Sequence, residues 1–272
     1  MPELPEVETI KRDLEKEILG KKIVDVVINK SKVIKYPEPA EFKALLIGAS
    51  CSKIIRRGKL LVFEIQSAQN RVLFLCVHLR ISGQLILGLE SSATRLSIKF
   101  SDQSFLNYND QRLFGQLRIV RDWQELDFVK KLGCEPLDKC FTFPKFKQAL
   151  LIKKTKIKPL LLDQSFIAGI GNIYAAEILF LSGIHPAKQA YKISSQQIDL
   201  LFRNIKKVLI SAIKHRGTSV DLYYDAYGHK GNFQSHLLVY NRKGCLCLRC
   251  KHKIQRIVLS GRGTYFCPNC QK

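Results

Sequence analysis

The sequence predicts an α+β chain of two domains, on three observations. Short strand-like segments recur through the first 130 residues, helical periodicity takes over from about residue 140, and two Cys-x2-Cys pairs close the chain. The first helix spans residues 7–19, where Val7, Ile10, Leu14 and Ile18 recur at helical spacing and Gly20 supplies a stop. Strands follow at 23–28, 60–65, 72–79, 84–89, 96–100, 104–108 and 116–120, with turn formers such as Gln69-Asn70 and Ser101-Asp102 between them. Short regular strands of this kind indicate a sandwich or a barrel. Leu132-Gly133-Cys134-Glu135-Pro136-Leu137 reads as a linker, and 143–151, 173–181 and 194–215 carry helical periodicity. There is no internal repeat and no low-complexity segment.

The chain of 272 residues carries 45 Lys and Arg against 23 Asp and Glu, a net charge of +22. Residues 1–130 hold 21 basic and 16 acidic side chains, whereas residues 131–272 hold 24 and 7. The excess is thus +5 in the first part and +17 in the second, which points to a polyanionic partner, nucleic acid first. With 46% hydrophobic residues the chain is globular rather than disordered. No apolar run approaches the roughly 20 residues of a membrane span. The acidic, proline-bearing opening does not read as a signal peptide, so a cytoplasmic protein without a membrane partner is expected.

Nine cysteines in that setting suggest thiols and metal before disulfides. Cys247-x2-Cys250 and Cys267-x2-Cys270 have the spacing of two knuckle turns that supply four thiolates to one tetrahedral Zn2+. Four protein ligands leave no open position, so that zinc is structural. Strands at 254–259 and 264–266 make a β-hairpin finger with Arg262 at its tip. Cys245 fits the paired spacing poorly, and Cys51, Cys76, Cys134 and Cys140 read as small buried hydrophobes.

Two readings fit the N-terminus. Pro2 and Pro5 can stiffen a helix entry whose first turn is favoured by Glu3, Glu6 and Glu8. Alternatively, removal of Met1 exposes a secondary amine that titrates near neutrality and attacks an aldehyde-level carbon, with Glu3 and Glu6 as proton donors or acceptors.

The opening Met1-Pro2-Glu3-Leu4-Pro5-Glu6-Val7-Glu8-Thr9 resembles that of the bacterial formamidopyrimidine-DNA glycosylases, base-excision enzymes for oxidised purines. Further blocks match in family order: Gly58-Lys59-Leu60, His78-Leu79-x-x-Ser82-Gly83, Asp110-x-Arg112-x-Phe114-Gly115, Gly169-x-Gly171-Asn172-Ile173-Tyr174, and the finger with Gln255-Arg256 and Arg262. The resemblance implies an N-terminal β-sandwich with an N-terminal helix, then a helix–two-turn–helix domain with a zinc finger. The expected boundaries are 1–130, a linker at 131–139, 140–240 and 241–272.

By the same resemblance, Pro2 is the Schiff-base nucleophile at C1′, and β- and δ-eliminations cut the strand. Glu3 is the proton donor and Glu6 a second acidic residue at the site. Lys59 is the proton donor of β-elimination, although a solvated lysine on a strand end is the ordinary reading. Arg262 is the phosphate clamp and the proton donor of δ-elimination. Ile81, Arg112 and Phe114 fill the gap left by the everted base, with the arginine reading the orphaned cytosine. A core aromatic is the ordinary reading of Phe114. Lys154 (or Lys153) and Asn172 are DNA contacts, Asn172 at a glycine-bearing helix entry suited to a phosphate. His78 is a further DNA contact, or a neutral core histidine. A loop at about 218–236 covers the everted base. The partner is duplex DNA bearing oxidised bases or abasic sites, and a monomer is expected.

Four positions depart from the pattern. Ile81 stands for methionine, Gln111 for proline, Leu113 for a second arginine and Asn241 for a glycine. These departures bear on affinity and lesion preference; Pro2, Glu3 and Lys59 are untouched. A rival is an endonuclease VIII-type enzyme for oxidised pyrimidines, disfavoured by Leu4-Pro5-Glu6-Val7 and by Arg112 and Phe114. A non-catalytic DNA clamp would leave Pro2, Glu3, Glu6 and Lys59 unexplained.

Overall fold

Helix α1 (Leu4–Glu17) begins ahead of its apolar periodicity because its first turn is capped from within. Glu3 accepts the Glu6 N–H and Glu6 accepts the Glu3 N–H, with Pro5 inside the first turn. Leu4, Val7, Ile10 and Leu14 form its buried stripe, each contributing about 1.5–3 kcal/mol of burial. The computed structural model describes residues 1–220 and 222–272. It packs as two units: residues 1–130 with 215–234, and residues 131–214 with 235–272.

In the first unit α1 and α2 (Pro39–Leu46) accompany two sheets. In chain order the strands are β1 (Ile23–Ile28), β2 (Ile34–Tyr36), β3 (Ser50–Arg57), β4 (Leu60–Gln66), β5 (Val72–His78), β6 (Gln84–Leu87), β7 (Thr94–Phe100), β8 (Phe105–Asn109) and β9 (Gln116–Val120). One sheet has the order β2-β9-β5-β4-β3 and the other β1-β7-β8-β6. All pairs are antiparallel except β2 with β9. Phe63, Leu75, Ile98 and Leu106 from the two sheets share one core, so the sandwich is the alternative realised. A short helix, α3 (Asp127–Lys130), ends this stretch.

The second unit holds α4 (Phe143–Leu151), α5 (Ile157–Leu162), α6 (Asn172–Leu181), α7 (Ser195–Lys214) and the hairpin β10 (Gln255–Leu259) and β11 (Arg262–Phe266). Helix α6 is apolar nearly all round, and its one acid, Glu177, is buried. That carboxylate accepts the N–H groups of Leu238, Val239 and Tyr240 at 2.8–3.0 Å, which fastens the approach to the finger. Burial pushes Glu177 above the usual range despite these donors.

The cysteine expectation needs one correction. Cys51 and Cys76 are buried and their thiols are pushed up to about 12 by burial. Cys134 is half-buried, Cys140 is exposed, and their Sγ atoms lie 2.8 Å apart. Cys134 lies in the linker and Cys140 directly after it, toward the surface rather than in the core. Among the described residues no helix is long and apolar enough to cross a membrane.

Candidate functional site

The capping box places Pro2, Glu3 and Glu6 together, all three buried. Glu6 spends both oxygens as acceptors. Oε2 takes the Glu3 N–H at 2.7 Å and Oε1 takes the Thr218 N–H at 2.8 Å. A Cβ added at Gly217 would lie 2.8 Å from Glu6 Oε1, and Gly217 also has φ +78, so this approach requires glycine. The N-terminal peptide and the 215–234 segment are thus tied through one carboxylate.

Lys59 follows Gly58 (φ +56) in the turn between β3 and β4 and is only 8% exposed. That burial is unlike the solvated lysine that a strand end ordinarily carries. The turn is fastened to α1: Arg56 donates from Nε to Glu8 at 2.9 Å and from Nη1 to the Gly58 carbonyl at 3.1 Å. Burial raises the Glu8 carboxyl, but Arg56 and Arg12 outweigh it and hold the group below its ordinary value.

His78 ends β5, opposite Leu60 and Gln116, and is half-buried. Its Nδ1 accepts the Arg80 N–H at 3.1 Å, so in the neutral ring Nε2 carries the proton. Burial, then the charges of Arg80, Lys59 and Arg118, lower its pKa to about 3.

Ile81, Arg112 and Phe114 lie on two loops, 79–83 and 110–115, and all three are exposed. The Arg112 guanidinium carbon stands 4.7 Å from the Phe114 ring centroid. Phe114 is therefore not a core aromatic. Both loops depend on Asp110, a residue whose role the sequence reading did not assign. Its fully buried carboxylate accepts Ser82 Oγ at 2.5 Å and Arg112 N at 3.2 Å on Oδ1. On Oδ2 it accepts Gly115 N at 2.7 Å and the Tyr108 hydroxyl at 3.4 Å. A Cβ at Gly115 would lie 1.5 Å from Tyr108 Oη, which explains the glycine after Phe114. Leu113 has φ +56, a left-handed turn that sets Arg112 and Phe114 on either side of it.

In the second unit, Lys153 and Lys154 are exposed just before α5. Gly169 (φ +88) shapes the turn into α6, with its N–H held by Gln164 Oε1 at 2.9 Å. Asn172 opens that helix, but its side chain has protein partners. Nδ2 donates to the Gly263 carbonyl at 3.1 Å and Oδ1 accepts Lys158 Nζ at 2.7 Å. Lys158, 1% exposed, also donates to Thr264 Oγ1 at 2.7 Å and to the Gly263 carbonyl at 3.2 Å. This buried lysine couples the helix entry to the finger hairpin. It lies in the sequence as one lysine among several, so only its apolar neighbours Ile157 and Leu160 hint at burial.

Ser260 (φ +49) and Gly261 (φ +72) form the two-residue hairpin turn. Arg262 is exposed and opens β11 directly after that turn, one step past the tip. The ligand atoms of Cys247, Cys250, Cys267 and Cys270 all lie within 4.8 Å of one another. Two of the separations are 3.9 and 3.4 Å, close to the roughly 3.8 Å edge of a tetrahedron with 2.3 Å Zn–S bonds. The donor set therefore fits zinc. Cys245 is exposed and outside the cluster.

A buried acid-rich N-terminus, an exposed aromatic and arginine on neighbouring loops, and a four-thiolate finger define a zinc-finger protein that processes nucleic acid. The formamidopyrimidine-DNA glycosylase N-terminal domain model matches residues 1–117, its helix–two-turn–helix domain model residues 132–223, and the zinc finger found in these enzymes and in IleRS residues 246–272. A formamidopyrimidine-DNA glycosylase of Ligilactobacillus salivarius is 42% identical over 277 residues, covering 100% of this chain and 99% of the relative. A Lactococcus lactis Fpg in complex with abasic-site DNA is 38% identical with a TM-score of 0.91, covering 99% of each chain. The same organism's enzyme with Fapy-dG DNA gives 38% and 0.90, covering 99% of this chain and 100% of that one. The chain belongs to the formamidopyrimidine-DNA glycosylase family. It is a DNA glycosylase of base-excision repair with AP-lyase activity, its partner is DNA, and its finger is a structural zinc site.

Proposed function

We propose that this enzyme excises oxidised purines, 8-oxoguanine opposite cytosine and formamidopyrimidines, through Pro2. With Met1 removed, the Pro2 nitrogen attacks C1′, the base departs, and the resulting iminium acts as the electron sink for β- and then δ-elimination. Glu3 donates the proton that opens the sugar ring and Glu6 orients the N-terminal peptide. Lys59 serves β-elimination, and Arg262 clamps phosphate and serves δ-elimination. Ile81, Arg112 and Phe114 fill the vacated stack. Lys154, Asn172 and His78 contact the DNA backbone. For Asn172 this requires exchange of its present partners or use of its helix N-terminus. Zinc supplies structural closure of the finger when held by Cys247, Cys250, Cys267 and Cys270. We assign these roles to functional divisions at 1–130, 131–139, 140–240 and 241–272, with the 215–234 stretch of the third packing in the same unit as the first, in a cytoplasmic bacterial monomer.

The observation that carries this reading is the buried grouping of Pro2, Glu3 and Glu6 beneath a capped helix start. Borohydride trapping tests it. Fully processed, zinc-loaded protein is expected to form a covalent adduct with an 8-oxoguanine:C duplex, and retention of Met1 to abolish it. No adduct refutes the Schiff-base chemistry. Stronger trapping on thymine glycol transfers the enzyme to the pyrimidine-lesion class.

A further inference from the structure

The 215–234 segment is held by a charge cluster that the chemistry above does not use. Arg216 donates from Nη2 to Asp13 of α1 at 2.6 Å and to Asp225 at 2.5 Å, and from Nε to Asp225 at 2.9 Å. Asp13 and Asp225 are buried, with side chains 2% and 0% exposed. The other oxygen of Asp225 accepts the N–H groups of Tyr227 at 3.0 Å and His229 at 2.8 Å. One guanidinium therefore joins α1 to the far side of the loop, with Nη2 shared between the two carboxylates and Nε adding a second bond to Asp225 from a planar, always-charged group.

The backbone at this point is unusual. Arg216 has φ +60, a conformation costly for a residue with a Cβ, and Gly217 follows at φ +78. This double left-handed turn brings the Thr218 N–H to Glu6. The same turn is stitched across the neck of the loop. Phe233 N donates to Gly217 O at 3.0 Å and Asn232 N to His215 O at 2.8 Å. Tyr223 donates its hydroxyl to Arg216 O at 3.1 Å. Farther out, Leu87 N of the edge strand β6 donates to Ala226 O at 2.8 Å.

We propose that Arg216 is a positioning residue for base recognition: by bridging Asp13 and Asp225 it fixes the loop that closes over the everted base relative to the helix that begins just after Pro2. Arg216 touches neither the base nor the sugar. Its effect passes through the neck of the loop, where Gly217 O accepts Phe233 N–H, on one side and the turn at 225–229 on the other. The inference rests on the oxidised-purine reading above, since it needs a base to be recognised before the sugar chemistry begins.

The test compares substrates that do and do not need base recognition. In R216A, single-turnover excision from an 8-oxoguanine:C duplex is expected to fall about 100-fold, the scale of a 1 Å misplacement. Cleavage of a preformed abasic-site duplex is expected to stay within about threefold of wild type. R216K is expected between the two, because it keeps the charge and loses the fork. R216A leaves two buried carboxylates facing each other, so D13N/R216L, which removes one of those charges, is measured beside it. Equal losses on both substrates, or no loss on either, overturn the proposal. Amide hydrogen exchange supplies a readout independent of the lesion. Peptides within 216–234 are expected to exchange faster in R216A, with α7 peptides unchanged. Unaltered exchange overturns the clamp. Wild-type protein that cuts abasic DNA and ignores 8-oxoguanine overturns the oxidised-purine reading, and the exchange experiment still decides the clamp.

Discussion

Asp110→Asn is the sharpest probe of how the exposed loops are held. The aspartate accepts four donors with two oxygens, two to each, and is completely buried. Asparagine keeps one oxygen and replaces the other with an amide that donates. If the oxygen stays toward Ser82 and Arg112, the amide faces Gly115 N–H, a donor against a donor. The Tyr108 hydroxyl can rotate to accept, but the Gly115 amide cannot. A buried donor left unpaired costs about 1–3 kcal/mol, and a lost bond to a charged acceptor about 1.5–3. The two counts overlap, so the net destabilisation is about 3 kcal/mol. That corresponds to a fall in Tm on the order of 10 °C.

Excision should suffer more than stability. Ser82 anchors the loop of Ile81, while Arg112 N and Gly115 N flank Phe114. An amide in place of Asp110 therefore moves all three exposed side chains at once. The expected loss of single-turnover excision on 8-oxoguanine:C is about 100-fold, with weakened preference for cytosine over adenine opposite the lesion. The assay pairs thermal unfolding with excision kinetics below the lowered Tm. D110N with an unchanged Tm and unchanged excision would refute the reasoning, because the four donors would then not depend on the second carboxylate oxygen.

Two further outcomes are expected. His78 is depressed to about 3, so the unfolded chain takes up its proton near pH 6.5 while the folded protein does not. Its contribution is fully present above pH 6.5 and is lost at about 1.4 kcal/mol per pH unit as pH falls toward 3. H78Q should flatten that slope in unfolding measured from pH 7 to 4, and nitrogen NMR should show a neutral ring protonated at Nε2 at pH 6; a charged ring there refutes the assignment. Cys267→Ser removes a fully buried ligand of the four-thiolate site. Zinc measured by mass spectrometry should be lost and DNA affinity reduced; unchanged affinity without zinc would show that the finger is dispensable for binding.

The legible parts of the fold are those where burial writes a period into the chain. Helix α1 shows this in Val7, Ile10 and Leu14, and the zinc site in paired cysteines at fixed spacing. Strand β3 is not legible in the sequence because Lys53, Arg56 and Arg57 interrupt its alternation; Arg56 is nevertheless drawn inward by Glu8. Helix α5 leaves no helical signature because it is only six residues long and contains Pro159. Within the site, the resemblance marks residues proposed to touch DNA and is silent on those that hold them in place. Asp110, Arg216, Lys158 and Glu177 each satisfy partners distant in sequence, and no local pattern encodes such a partner. Asn172 shows the converse: its motif is plain, yet its side-chain partners, Lys158 and Gly263, come from the fold.

The same distinction changes the meaning of the charge. A composition count sets Glu3, Glu6, Asp13 and Asp110 against the basic residues of the first 130 positions, leaving +5. All four carboxylates are buried, with Lys59 as the buried basic residue of that stretch. Glu6 and Asp110 accept backbone N–H groups and Asp13 holds Arg216. Acids spent in this way are withdrawn from the surface, whereas Arg112 is exposed on it. In the second part of the chain, Glu135, Glu177 and Asp225 are likewise internal, which removes three of its seven acids from the surface. Phosphate contact depends on the charges a surface presents at short range, so both parts meet DNA as more basic than their formal sums. The carboxylates that appear to oppose binding are the fasteners that fix where the basic and aromatic side chains stand.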